Sequence, residues 1–501
     1  MINRKKRRKN FTFILLLLLG IGYGILAWSI QTQAKDEDVV ILKEDSTVDD
    51  IQSALSRNAA NSSRHLTVKV PEGTYVLDKA LFIYSNTTLE LDTNTTFILK
   101  SENYKVMLSS YNYKYDKGGY DQVKDVEVIG GNWDGNGTSG EMMRFIHGTN
   151  ITVTGANIYN VGNGSHLITF AGIKNGVIQN CTLSGYHGTT VKEAIHLDIV
   201  HNKQWVPGTV TYDDTANDTI LIQNNTIYDY PRAIGSHSSV KGVYHKNVVI
   251  ENNVLKDLTN EAINLYGYKE SRVANNTIQN VGIGIRVYTL LENGKQYEPL
   301  DGTKTEAIPD NYQIQIENNK ITNTSQYGIQ LYGAKDQPLT GVTIVGNTVQ
   351  KTGNTAIMLY RYSTNNVVKN NKIQTVTNHG IGIYENSNLN KVVSNTIKFT
   401  TKQGIYAGSS KYTVIKSNKI ASCKKHGIWI DAGSNRTKIV SNTISNVQEI
   451  GIGLKSANGS TVLNNKVTSA KKFGLYAISS KNVVVKGNVY RNITGKTEKI
   501  A

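Results

Sequence analysis

An asparagine followed two residues later by an apolar residue recurs at Asn225, Asn253, Asn276, Asn319, Asn347, Asn371, Asn395, Asn418, Asn442, Asn465 and Asn488. From Asn347 onward the steps are 24, 24, 23, 24, 23 and 23 residues. A fixed period of that size means stacked units, none of which can bury its own apolar face alone. Within one unit the pattern runs Tyr327-Gly328-Ile329-Gln330-Leu331-Tyr332, then Val342-Thr343-Ile344-Val345, then Asn347-Thr348-Val349. These read as three short strands with aliphatic side chains at period two, separated by a glycine bend and an asparagine turn. Each unit is thus one turn of a parallel β-helix. Stacking at about 4.8 Å per turn puts each position in a column, and the asparagine column can hydrogen-bond along the axis as a ladder.

Composition agrees. The 501 residues include 44 Gly but only six Pro and two Cys, with 19% charged residues. That excludes a disordered chain and a disulfide scaffold, and the thin supply of helix formers argues against a large helical or alternating strand-helix fold. Some fifteen stacked coils account for the length as one domain. Cys181 and Cys423 lie about ten coils apart, too far to bridge, and read as buried small residues. The many Asn-X-Thr triplets follow from the ladder rather than from glycosylation.

The repeat resembles the right-handed parallel β-helix of the pectin-lyase-like superfamily over roughly residues 66–492. The opening segments Val70-Pro71-Glu72-Gly73-Thr74-Tyr75, Thr88-Leu89-Glu90-Leu91 and Gly130-Gly131-Asn132-Trp133-Asp134-Gly135-Asn136-Gly137 carry the same likeness. The resemblance implies an all-β fold and a link to polysaccharides. The superfamily holds lyases, hydrolases, epimerases and adhesins, so the fold alone selects no reaction. The chain lacks the Asn-Thr-Asp, Gly-His-Gly and Arg-Ile-Lys constellation of polygalacturonases and the Asp-Pro-His-Asp motif of mannuronan epimerases. No family residue transfers one by one.

Before the repeat, Arg4, Lys5, Lys6, Arg7, Arg8 and Lys9 precede an apolar run from Phe11 to Ile30. Residues 1–34 therefore read as a signal peptide, with a small-residue cleavage site at Thr32, Gln33 and Ala34, or as an uncleaved membrane anchor. Both place the rest of the chain outside the cytoplasm, secreted or on the cell surface. Residues 35–65 read as a linker plus a capping helix, with Ser46 and Asp49 as capping box and Val48, Ile51 and Leu55 on one face. Residues 493–501 form a tail. The formal charge of +16 falls to roughly +10 outside the basic run. It suits an anionic partner such as an acidic polysaccharide or wall glycan, and no nucleic-acid motif is present.

Sites on solenoids lie where loops interrupt the minimal coil. Long segments follow the glycine-containing strand at Ser109 to Lys124, His201 to Asp218, His237 to Asn247 and Thr289 to Asn311, whereas beyond Gly341 they shrink to bare turns. All four wall one face. Aligning the coils by their turns sets outward pairs there: Arg144 and Ile146, Thr169 and Ala171, His196 and Asp198, Gly235 and His237, Asn264 and Tyr266, Arg286 and Tyr288. A neighbouring column holds His166, Glu193, Arg232 and Glu261. The expected catalytic set is His196, Asp198, His237, Glu193, Glu261 and Arg232. In it Asp198 orients His237 as a base, and Gly235 leaves room for a sugar. Arg144, Asn264, Tyr266, Arg286 and Tyr288, with Tyr113 and Tyr115 in the first insertion, are the expected sugar contacts.

Three functions fit. The first is proton abstraction beside a uronate carboxyl, as in a lyase or epimerase, with Arg232 or Arg286 neutralising, His196 or His237 abstracting and Tyr266 returning the proton. The second is inverting hydrolysis by Glu193 and Glu261, two coils apart. The third is a non-catalytic glycan-binding surface protein or adhesin. Asp213, Asp214 and Asp218 are candidate ligands for a hard cation such as Ca²⁺, although no spacing resembles a defined calcium loop.

Overall fold

The computed structural model describes residues 37–60, 63–100, 106–110, 116–289 and 296–501. The N-terminal basic and apolar segment, and Tyr113 and Tyr115, lie outside these residues. Residues 37–501 form one compact unit, a right-handed parallel β-solenoid of about 18 turns whose described residues include one short α-helix, near its start. The turn count exceeds the sequence expectation because the first turns carry no asparagine repeat. Strand pairing also runs into both flanks. Glu37–Ile41 pairs in parallel with His65–Val70, and Lys496–Ile500 pairs with Phe473–Ile478. Among the described residues no helix is long and apolar enough to cross a membrane.

The asparagine ladder forms along its whole length. Asn225 donates from its amide nitrogen and its Nδ2 to Oδ1 of Asn253, at 2.9 and 3.0 Å. The same double donation links Asn347 to Asn371, Asn371 to Asn395 and Asn442 to Asn465. Nδ2 also donates to a strand carbonyl of the preceding turn, as from Asn395 to Val368 at 2.9 Å. A buried bend would otherwise strand backbone donors and acceptors, so the ladder satisfies groups whose neglect costs about 1–3 kcal/mol each. The residue before each ladder position holds a left-handed φ, +56° at Asn224, +58° at Asn252 and +57° at Asn370. Asn and Ser tolerate this conformation better than branched residues do.

Inside, Ile, Leu and Val stack in one continuous core from Ile51 to Ala477. The helix Val48–Leu55 closes the first turn by burying Ile51, Ala54 and Leu55. Its cap is one residue later than the sequence suggested. Thr47 and Asp50 form the capping box, while Ser46 Oγ accepts from the Lys43 amide. Gln52 ties the helix to the first rung, taking the Phe82 N–H at 2.7 Å and donating to the Phe82 carbonyl at 3.1 Å. Cys181 and Cys423 are free and buried, and burial pushes both thiols up to about 11.

Candidate functional site

The long loops do follow one column of strands, those at Val106–Ser110, Glu141–Thr154, Ile168–Gln179, Glu193–Asp198, Arg232–Gly235, Val254–Tyr266 and Thr277–Tyr288. Their register matches the column alignment. Arg144 sits against Thr169, Thr169 against His196, His196 against Gly235, Gly235 against Asn264 and Asn264 against Arg286. Ile146, Ala171 and Asp198 also succeed one another.

The column departs from expectation at His237. The strand Arg232–Gly235 stops at Gly235, whose φ is +150°, and the chain swings away. His237 is therefore not stacked on Asp198 in the sheet. Its Nδ1 lies 2.8 Å from Glu193 Oε2, whereas Asp198 Oδ1 accepts from Ser238 Oγ and the Ile199 amide. Gly235 makes no room for a sugar. A Cβ there would sit 2.1 Å from the Asn264 carbonyl oxygen, so glycine permits a close backbone crossing.

Nor is the face an open trough. The segment after Asp198 folds back over it, and Val200 and Val206, flanked by Trp205 and Tyr212, pack on Ile146 and Ala171. Two buried histidines pin this roof. His147 lies between Asp116, at 2.8 Å, and Asp213, at 3.0 Å. His201 meets Asp214 at 2.5 Å, and Asp214 also accepts from the Leu300 amide and the Thr303 hydroxyl. Burial lowers the His147 pKa, but its two carboxylate partners outweigh that and raise it to about 9. Asp218 accepts from Thr219 and Asn247. Asp213, Asp214 and Asp218 thus face different partners and do not converge as a calcium site would require.

The arginines are largely engaged. Arg144 Nε bonds Glu141 at 2.7 Å and its Nη1 bonds the Pro207 carbonyl at 2.6 Å. Arg232 bridges Glu193, at 3.0 Å, and Glu261, at 2.6 Å. Arg286 completes the row on Glu261 at 3.1 Å. Burial works against each carboxylate, but its polar neighbours prevail. Arg144 holds Glu141 low, Arg232 and Arg286 hold Glu261 low, and His237, His196 and Arg232 hold Glu193 well below the usual range. Tyr266 and Tyr288 are buried and stacked, with centroids 4.4 Å apart. Asn264 is fully buried and donates to the Tyr288 hydroxyl and the Ser236 carbonyl. These side chains form the floor beneath the site.

At the centre His166, Glu193, His196 and His237 gather with their ligand-capable atoms within 4.8 Å of one another. The imidazoles lie nearly parallel, with centroids 4.1 Å apart for His166 and His196 and 4.6 Å for His196 and His237. Burial lowers His166 to about 4 and His196 well below its ordinary value, and it lifts Asp198 to about 6. His237 is the accessible member, its side chain 35% exposed.

Two grooves flank this centre along the column. One of about 750 Å³ is lined by Gln52, Lys79, Glu141, Arg144, Lys203 and Pro207. The other, about 550 Å³, is lined by Arg286, Tyr327, Gln330, Tyr332, Tyr360 and Tyr384. Five rungs, about 24 Å, separate Arg144 from Arg286. The sequence pointed to the six catalytic candidates but not to the roof. The partners of His147 and His201 lie in insertions without period, where no column assigns them. Tyr332 and Tyr360 follow Tyr288 in one column.

Residues 296–450 match the family model described as NosD, periplasmic copper-binding protein. That stretch is under a third of the chain and contains none of His166, Glu193, His196 and His237. No curated protein matches the chain significantly. Similar solved structures include the surface adhesin PfbA of Streptococcus pneumoniae, at 17% identity over 82% of this chain and 89% of that one, TM-score 0.47. The mannuronan C-5 epimerase AlgE6 A-module of Azotobacter vinelandii shares 12% identity over 88% and 94%, TM-score 0.38. An exopolygalacturonase of Thermotoga maritima shares 11% over 75% and 91%, TM-score 0.45. At such identities the likeness is one of fold.

Proposed function

We propose that this chain is a polysaccharide-processing protein of the cell exterior that acts on an acidic glycan by proton abstraction beside a uronate carboxyl, as a lyase or an epimerase. The observation that carries the reading is the His237–Glu193 pair. It sets one accessible imidazole, oriented by a buried carboxylate at 2.8 Å, between two grooves on the same face. Because the ionised carboxylate accepts, Nδ1 donates, and Nε2 presents its lone pair as a base. Arg286 is 24% exposed and lies over the Tyr288 and Tyr332 rings at 5.0 and 5.9 Å. It is the cation placed to stabilise charge that develops on the substrate carboxylate.

In β-elimination the imidazole takes the proton from the carbon bearing the carboxyl. The electron pair forms the ring double bond, the glycosidic carbon–oxygen bond breaks, and the protonated imidazole returns its proton to the departing oxygen. In epimerisation the imidazole keeps the abstracted proton until it is lost to solvent, and a water molecule on the opposite face gives a proton to the carbanion. Tyr266, buried and stacked on Tyr288, is closed off from substrate and is not the donor. Inverting hydrolysis fits less well, because the Arg232 guanidinium fills the space between Glu193 and Glu261 where water and the glycosidic oxygen would have to sit. Export of the domain rests on the basic and apolar N-terminal segment.

The test is incubation of the full chain, purified in detergent, with a panel of polyuronates. New ultraviolet absorbance from a conjugated double bond marks the lyase, and exchange of the proton at the uronate carbon with solvent deuterium marks the epimerase. Binding without either product overturns the enzymatic reading in favour of a binder. His237→Ala is expected to remove turnover while leaving the circular dichroism spectrum unchanged.

A further inference from the structure

From the same cluster we infer a binding site for a divalent first-row transition cation of the imidazole-preferring kind, Co²⁺ to Zn²⁺, with His166, His196 and His237 as ligands and Glu193 as the residue that orients two of them. Three independent features of the side chains converge on it.

The first is proximity, since donors from four residues lie within 4.8 Å of one another. Bonds of about 2.0–2.1 Å in a tetrahedral site need donors about 3.4 Å apart. Side-chain rotations of about 1 Å therefore close it.

The second is an orphan. His196 is 3% exposed, yet its Nε2 is buried with no hydrogen-bond partner. A buried polar atom left unmade costs about 1–3 kcal/mol, and a bound cation would supply the missing partner.

The third is the state of the other ring nitrogens. His166 Nδ1 lies 2.7 Å from the Glu193 carbonyl oxygen, which can only accept. His237 Nδ1 lies 2.8 Å from the Glu193 carboxylate, and His196 Nδ1 lies 4.0 Å from Asp198 Oδ2. In His166 and His237 Nδ1 is bonded to an oxygen and Nε2 is left to offer a lone pair, the arrangement that fixes the tautomer of metal-binding histidines. Partly exposed His237 gives the ion an entry path. Three nitrogen ligands without thiolate suit Zn²⁺, Co²⁺ or Cu²⁺ rather than Ca²⁺ or Mg²⁺, and they leave a fourth coordination position for water.

The site stands apart from the sugar chemistry, because its ligand set is complete without a glycan. Where both hold, the Nε2 lone pair of His237 serves either the ion or the proton, so saturating Zn²⁺ suppresses turnover.

The deciding experiment strips the untagged full chain with a chelator and titrates it with Co²⁺, followed by visible ligand-field absorption, and with Zn²⁺, followed by calorimetry. One ion per chain is expected, with four-coordinate Co²⁺ bands. His196→Ala and His237→Ala are each expected to weaken binding at least 100-fold, while His379→Ala, on a distal coil, leaves it unchanged. His237→Ala alters a partly exposed side chain and so guards against a folding artefact in His196→Ala. No saturable binding by the wild-type chain, or binding that survives both variants, overturns the site whatever the polyuronate assay shows. Metal binding without polyuronate turnover supports the site and sinks only the proposed function.

Discussion

Beyond Gly341 each turn of the solenoid repeats the one before it. Short turns join the strands, and the asparagine ladder runs without a break from Asn347 to Asn488. Between Glu141 and Asn311 the same coil carries a buried row of alternating charges, a histidine cluster and a roof of inserted loops. Both halves stack parallel rungs around one continuous apolar core, so the fold does not require the polar density of the first. In the distal half each rung depends on its neighbours alone. In the proximal half residues far apart in sequence depend on one another through ionised groups out of water, where a missing partner is expensive. The comparison separates what builds the coil from what is mounted on it.

Removing Glu193 tests that separation most severely. The side chain is fully buried and holds both Arg232 and His237. Glu193→Ala leaves an arginine with half its compensation and should cost about 3–5 kcal/mol. Hydrogen exchange should locate the loss in the strands Glu193–Asp198 and Arg232–Gly235 and leave the distal coils protected. Uniform loss of protection along the whole solenoid would show that the two halves do not behave separately.

A second proximal test uses pH. The folded pKa of His147 is raised to about 9 by Asp116 and Asp213, so its contribution is fully present below its ordinary value of about 6.5 and is lost as pH rises through about 9. Asp116 and Asp213 are held low despite burial, chiefly by His147. Their share is present above the ordinary carboxylate pKa of about 4 and is lost as pH falls below it. The roof after Asp198 should therefore resist proteolysis best in mildly acidic to neutral solution and open above pH ~9, with about 3 kcal/mol at stake. His147→Gln should flatten the alkaline limb. Cleavage with an unchanged pH profile in that variant would refute the pinning role.

In the distal half the matching test is Asn395→Ala. It deprives Asn371 of the acceptor for its amide and Nδ2 protons and removes one donor from the Val368 carbonyl. The expected cost is about 1–3 kcal/mol, read as faster exchange in the adjoining rungs only. A matching loss of protection in the roof would break the contrast between the halves.

The same contrast explains what the sequence could disclose. A period of 23 or 24 residues maps chain distance onto axial distance, so the ladder and the neighbours of Arg144, Thr169, His196 and Asn264 follow from counting. Counting fails where the period does. His237 leaves the column because the strand ends at Gly235, and its carboxylate partner becomes Glu193 rather than Asp198. The roof is invisible for the same reason, since Trp205 and Val206 reach Ile146 through a loop whose course no periodicity fixes. The charged row was half legible. The column placed Glu193, Arg232 and Glu261 together, but counting alone did not decide that Arg232 bridges both carboxylates out of solvent.

The smallest effect belongs to the groove shared by the two halves. Tyr360 lies on the strand Ile357–Tyr360, beside Tyr332 with centroids 5.4 Å apart and under the Arg361 guanidinium at 5.4 Å. It remains partly exposed to the groove that begins at Arg286. Aromatic faces on a groove wall bind pyranose rings by apolar contact, and aromatic pairing of this kind contributes about 0.5–1.5 kcal/mol. Tyr360→Ala should therefore weaken polyuronate binding by roughly 3- to 10-fold and change stability little, because the side chain closes no core position. Measured by calorimetry on the His237→Ala background, where turnover is absent, the loss isolates binding from chemistry. Unchanged affinity there would confine the glycan to the proximal groove at Glu141 and Arg144, and the distal coils would then serve the site only as its support.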